Sequence, residues 1–314
     1  MTKSISALSV TNLTKIYGTY KAVDTITFAV PQGGIVGLLG PNGAGKTTTI
    51  QILLGITQSN GGRIEYFGMD FSKAKQACLA RINFASSFNT LQGRISVMEN
   101  LLVFADLYCV KNARSKIAEL TELLEITNLV KMKYWDLSKG QQTRVNIVKA
   151  LLNDPELLLF DEPTASLDPD IADKLLSLIE RMRDERKISI LYTSHDMAEV
   201  TRICDEVIFL DHGVIAAHDT PLNLTQKIEY ARLQITFGGE KKKIETLMHS
   251  YSKQVTFPFT HTICAEVKQK EIPAILAKLS KAQIAVEDIS IEKPTLDDVF
   301  MQIARGTYDF TPKN

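Results

Sequence analysis

Residues Gly40 to Thr49 read GPNGAGKTTT, and no other stretch constrains the chain so tightly. They follow GGIVGLLG (Gly33 to Gly40), an apolar run bounded by glycines that predicts a buried strand, and they lead into TIQILLGI, which predicts a helix. Strand, glycine loop and helix, with Gly40, Gly45, Lys46 and Thr47 at the spacing G-x-x-x-x-G-K-[ST], make a phosphate-binding loop. The glycines let successive backbone N–H groups turn inward, and the helix presents its positive N-terminal end. The expected phosphate-holding residues are Gly40, Pro41, Asn42, Gly43, Ala44, Gly45, Lys46, Thr47 and Thr48. Lys46 is expected to bridge the β- and γ-phosphates, and the Thr47 hydroxyl to ligate Mg²⁺.

At 314 residues the chain is long enough for a full core, and two domains are expected. Lysine plus arginine and aspartate plus glutamate both number 36, so no global basic field exists and no nucleic-acid partner is expected. Cys78, Cys109, Cys204 and Cys264 are scattered without a CxxC pair or a disulfide-like framework, which fits a reducing cytosol. MTKSISALSV lacks the apolar core of a signal peptide, and no apolar run approaches the ~18 residues of a membrane span. Any membrane role is therefore expected to come through a partner.

Short apolar runs alternate with helical stretches through the first part, as in α/β folds. From Val97 to about Leu152 the pattern turns helical, with Ile117, Leu120 and Leu124 on one face. ELLLFDEPT and ISILYTSHD are continuous apolar runs ending in polar residues, as parallel strands covered on both faces are. After Pro221 the character changes. Leu233, Ile235 and Phe237 alternate, TICAEV alternates again, and three amphipathic helices are expected around Ile244 to Tyr251, Ile272 to Leu279 and Leu296 to Ile303. Thr295 reads as an N-cap and Gly306 as a stop for the third, and the charge run EKKK (Glu240 to Lys243) as a solvated helix start. The expected division is an α/β domain over residues 1–220, with a helical insertion at about 95–150, and a small α+β domain over 225–314. For the latter a ferredoxin-like β-α-β-β-α-β order plus a last helix is expected.

LLLFDEP supplies a second half to the phosphate site. Asp161, at a strand end, can hold Mg²⁺ through water, and Glu162 is placed to take a proton from an attacking water. An acidic pair at a strand end is often only a solvated turn, but the upstream glycine loop favours the functional reading. His195 directly follows ISILYTS; a lone histidine is more often structural, yet from this position it can reach a γ-phosphate. Tyr17 in TKIYGTY can stack on a base or belong to the core.

LSKGQQTR (Leu137 to Arg144) looks like a second anion-ready helix start. With it, residues 1 to about 220 resemble the nucleotide-binding subunit of ABC transporters: LSKGQQ is similar to that family's signature motif, DEPTASLD to its Walker B and D-loop, and TSHD to its switch histidine. The resemblance implies a P-loop NTPase fold of ABC type, an ATPase, and two copies packed head to tail. Each P-loop would then share its ATP with the opposite copy's Ser138, Gly140 and Gln141, and with Asp168 of the D-loop. Two departures stand out. Lys139 stands where the common form of the signature has a glycine in addition to Gly140. The position where the family carries a glutamine before the helical insertion falls on Ser87, and Gln92, several residues later, is not assigned that role. PTLDDVFMQIARG resembles the end of the extension found in the daunorubicin-resistance and ABC-2 exporter branch, although a terminal amphipathic helix can complete any small domain.

The expected function is the ATP-hydrolysing subunit of an ABC-2-type exporter, cytoplasmic and held at the inner face of the cell membrane by a separate permease. The alternative is a soluble ABC-type ATPase acting on a ribosome, DNA or a protein complex. In a third reading the C-terminal domain is a regulatory sensor.

Overall fold

The computed structural model describes residues 6–87, 90–252 and 254–306. The chain divides after Pro221 into two units, each with its own core. The first begins with β1 (Ser6–Tyr17), β2 (Tyr20–Pro31), β3 (Ile35–Leu39), α1 (Lys46–Leu53), β4 (Gly61–Tyr66), the two-residue β5 (Met69–Asp70), α2 (Lys75–Leu79) and β6 (Ile82–Ser86). A helical segment follows, made of α3 (Val97–Leu107), α4 (Ala113–Leu123) and α5 (Lys139–Leu151). The chain then returns through β7 (Leu157–Asp161), α6 (Pro169–Arg186), β8 (Ser189–Thr193), α7 (Met197–Ile203), β9 (Glu206–Asp211) and β10 (Val214–Asp219), and the division falls at the start of α8 (Pro221–Gln226).

Two sheets carry this unit. One is antiparallel in the order β2-β1-β4-β5, and the other runs β10-β9-β3-β8-β7-β6, parallel except for β10. Every residue of β3 and β8 is buried, as central parallel strands covered on both faces must be. The register sets Ser86 opposite Asp161 and Asp161 opposite Thr193. The carboxyl ends of β6, β7 and β8 therefore lie side by side, and β3, which pairs with β8, ends in the glycine loop. Open α/β sheets collect their ligands at this end.

Local sequence also sets the helix starts in the insertion. Ser96 and Glu99 form a reciprocal capping box on α3, and Ser138 and Gln141 form one on α5. Such a cap contributes about 1 kcal/mol by satisfying amides that the helix leaves unpaired.

The second unit runs β11 (Tyr230–Gly238), α9 (Lys241–His249), β12 (Val255–Phe259), β13 (Thr262–Lys268), α10 (Ile272–Lys281), β14 (Ala285–Glu292) and α11 (Leu296–Ala304). Its sheet is antiparallel in the order β12-β13-β11-β14, which is the β-α-β-β-α-β arrangement followed by one helix. Leu233, Ile235 and Phe237 pack with Ile244, Met248, Ile275 and Leu279 in one buried cluster. Each such side chain, fully buried, contributes about 1.5–3 kcal/mol. Thr295 and Asp298 cap α11, Gly306 just beyond its end has φ +66°, and Lys241 to Lys243 are exposed at the start of α9. No helix among the described residues is long and apolar enough to cross a membrane.

Candidate functional site

The glycine loop is shaped by its neighbours. Gly40 has φ +146°, and a Cβ there would run into the Leu210 carbonyl; Gly45 has φ +105°, and a Cβ there would meet the Ala22 carbonyl. Both positions therefore demand glycine. Gly45 is also the N-cap of α1 and offers no side chain, so the first-turn amides of that helix remain available to an anion. Lys46 is buried, and its Nζ donates to the carbonyls of Gly40 and Pro41. Burial pulls its pKa below the usual lysine range, opposed by the charges of Glu162 and Asp161. Thr47 is exposed and Thr48 half-buried on the first turn.

A cavity of about 800 Å³ opens over this loop. Tyr17, Tyr20, Lys46, Thr47, Thr48 and Gln51 line it together with Ser86, Asp161, Glu162 and His195. That volume lies within the roughly 300–1,000 Å³ typical of small-molecule sites. The loop's Pro41, Asn42, Gly43 and Gly45 line it as well, whereas Ala44 is buried beneath.

The two acids are held differently. Asp161 Oδ1 accepts a 2.8 Å hydrogen bond from Thr193 Oγ1 on the neighbouring strand. Glu162 takes the left-handed φ of +51°, a conformation that non-glycine residues adopt at some expense, and its N–H donates to the Thr193 carbonyl and hydroxyl, both at 3.1 Å. His195 is half exposed, and its Nε2 lies 2.6 Å from Glu162 Oε1. The next residue, Asp196, caps α7 by accepting from the amides of Ala198 and Glu199 at 2.8 and 3.2 Å.

Tyr17 is about half exposed at the cavity mouth, with Lys15 Nζ 4.8 Å from its ring centre. Tyr20, its cross-strand partner, had no role from sequence, yet its hydroxyl donates to the Gly43 carbonyl at 3.1 Å and it lines the cavity. The tight Tyr17-Gly18-Thr19-Tyr20 turn was the available signal. Ser86 was likewise missed. Counting along the chain points to Ser87; both serines are buried, but Ser86 lines the cavity and Ser87 does not, and the Ser87 hydroxyl has no hydrogen-bond partner among the described residues. Gln92 does not line the cavity; its backbone N–H donates to Asn100 Oδ1, and its backbone carbonyl accepts from Asn100 Nδ2.

The second helix start stands apart. Ser138 Oγ accepts from the Gln141 amide at 3.3 Å, and Gln141 Oε1 accepts from the Ser138 amide at 2.9 Å. A Cβ on Gly140 would sit 3.3 Å from the Ser166 carbonyl, so the D-loop packs closely on this turn, joined by the Thr143 and Ser166 hydroxyls at 3.0 Å. Asp168 is the N-cap of α6, without a side-chain capping bond. Ser138, Gly140, Gln141 and Asp168 are not among the residues that line the P-loop cavity of their own chain.

A strand, P-loop and helix facing an acidic strand end define a P-loop nucleotide-binding protein. Comparison with known proteins narrows the class. The family described as ABC transporter matches residues 23–165. The Nod factor export ATP-binding protein I of Rhizobium etli is 32% identical over 308 residues, covering 95% of this chain and 93% of that one. The bacitracin transport ATP-binding protein BcrA of Bacillus licheniformis is 35% identical over 314 residues, covering 95% and 97%. A solved ATP-binding subunit of an ABC transporter superposes with a TM-score of 0.65 at 28% identity, covering 70% of this chain and 92% of that one. The chain belongs to the ABC transporter family, as an ATP-binding subunit of the ABC-2 exporter type, and it is an ATPase.

Proposed function

We propose that this chain is the ATP-hydrolysing subunit of an ABC-2-type exporter, working as a pair of copies beneath a separate membrane-spanning permease at the inner face of the cell membrane. The observation that carries the reading is the single cavity in which Lys46, Asp161, Glu162 and His195 meet. Residues 1–220 serve as the nucleotide-binding domain, and residues 225–314 as the appended domain.

The loop amides and the start of α1 receive the phosphates of ATP, and Lys46 exchanges its carbonyl partners for the β- and γ-phosphates. Tyr17 stacks on the base. Mg²⁺ suits the residues present: Thr47 and Asp161 offer two oxygen donors on one cavity, about the number Mg²⁺ takes from protein when phosphates and water complete its shell. Bound there, it offsets phosphate charge. Glu162 accepts a proton from the water that attacks the γ-phosphorus, the bond to the ADP oxygen breaks, and His195 turns from Glu162 to hold the γ-phosphate.

Ser138, Gly140, Gln141 and Asp168 contact the nucleotide of the opposite copy. Their separation from the cavity of their own chain supports this, as does the positive start of α5. ATP binding closes the pair, and hydrolysis with phosphate release reopens it. The export and transport roles named for the two relatives support the exporter reading. Affinity purification of tagged chain from gently solubilised native membranes tests it. A multi-span protein recovered in near-equal amount is expected. Recovery only from the soluble fraction, with ribosomal or other cytosolic partners, would overturn the exporter assignment and leave the ATPase standing.

A further inference from the structure

One carboxylate oxygen outside the cavity gathers three hydroxyls. Glu199 Oε2, on the first turn of α7, accepts from Thr164 Oγ1, Tyr192 Oη and Ser194 Oγ, each at 2.8 Å. All three donors are buried, at 7%, 0% and 6% exposure, so each needs a partner inside the protein. They come from three places. Thr164 lies two residues after Glu162, in the turn that follows β7. Tyr192 is inside β8, and Ser194 immediately precedes His195.

We propose that Glu199 is the positioning residue that sets Glu162 and His195 against each other and against the γ-phosphate. On one side it holds the turn in which Glu162 adopts its left-handed φ, a conformation that needs outside support. On the other it holds Ser194, whose Oγ also accepts from the Asp196 amide at 3.0 Å, so the chain is fastened on both sides of His195. A charged acceptor suits this task, because bonds from hydroxyls to a carboxylate are shorter and stronger than neutral ones. Glu199 does not line the cavity and acts only through the two loops. The proposal rests on the roles given above to Glu162 and His195.

The test compares the full chain as wild type, Glu199→Ala, Glu199→Gln, His195→Ala and the double variant His195→Ala/Glu199→Ala, with Glu162→Gln as a control. Steady-state ATP hydrolysis, affinity for a fluorescent ATP analogue and thermal melting are measured for each. Misplacing a reacting group by about 1 Å costs on the order of 100-fold, so kcat in Glu199→Ala is expected to fall roughly 10- to 100-fold. Nucleotide affinity should change by less than about threefold, because Glu199 does not line the cavity. Glu199→Gln should fall between the two, since an amide oxygen accepts hydroxyl donors less strongly. The double variant should be no slower than the slower single variant, because both changes disable one unit.

A folded Glu199→Ala with kcat within twofold of wild type would overturn the proposal. So would losses that multiply in the double variant, or a loss of nucleotide affinity that tracks the loss of melting temperature. If Glu199→Ala does not fold, wild-type kcat in Glu199→Gln overturns it. Full turnover in Glu162→Gln would instead overturn the reading of the site itself.

Discussion

His195 Nε2 and Glu162 Oε1 stand 2.6 Å apart, brought together from the ends of two adjacent parallel strands. In the proposed mechanism each acts on the nucleotide through the group the other now occupies, so the pair must part for hydrolysis. Glu162→Gln is therefore expected to keep ATP affinity and to lower kcat by about 10²- to 10⁴-fold, the usual worth of a general base. Binding of a fluorescent ATP analogue beside a phosphate-release assay reads both quantities, and unchanged turnover would remove Glu162 from its role.

Lys46 donates to two carbonyls of its own loop, which in the proposed mechanism it exchanges for phosphate oxygens. Lys46→Ala removes a charge-assisted contact worth about 1.5–3 kcal/mol, so ATP affinity should fall by at least roughly 10- to 100-fold. Titration calorimetry measures this directly. Full retention of affinity would contradict the phosphate cradle.

Ser138 caps α5 and is assigned to the opposite copy's nucleotide. Ser138→Ala is expected to cost about 1 kcal/mol of stability through the lost cap. It should also weaken ATP-driven pairing of chains while leaving binding to the P-loop unchanged. Light scattering with and without ATP, in a Glu162→Gln background that retains the nucleotide, separates the two effects. Pairing as strong as in the parent would refute the cross-copy contact.

Lys149 lies buried on α5, with its Nζ donating to the Phe84 carbonyl at 2.9 Å. Burial lowers its pKa from 10.5 to about 8. Below about pH 8 it is charged in both folded and unfolded chains, and the folded state bears the whole penalty of the buried charge. Between about 8 and 10.5 only the unfolded chain holds the proton, so this residue's contribution to stability improves as pH rises. Wild type is expected to gain on Lys149→Met by up to about 3 kcal/mol across that window. Urea unfolding of both proteins at several pH values measures the difference, and parallel profiles would show that the folded-state pKa is not depressed.

What could be read along the chain was contiguous. The P-loop is a strand, a turn and a helix in one stretch, and the capping boxes at Ser138 and Thr295 each span a few residues, so local spacing suffices to recognise them. Ser87 shows where that runs out. Both serines are buried, but β6 ends at Ser86, which lines the cavity, and the chain turns at Ser87, which does not line it. Tyr20 and Glu199 act through partners supplied by other strands and turns, and no spacing in the chain announces a contact made across a fold.

The glycine loop between strand and helix, the acidic strand end and the second helix start are all written in local sequence, because glycine conformations, capping and hydrophobic periodicity are local physics. That Ser86, Asp161 and Thr193 stand in one row, that Glu162 and His195 touch, and that Glu199 bonds to both loops follows from how distant segments pack. Those relationships depend on the register of parallel strands and on the turns that follow them, contacts between distant segments that no single segment encodes.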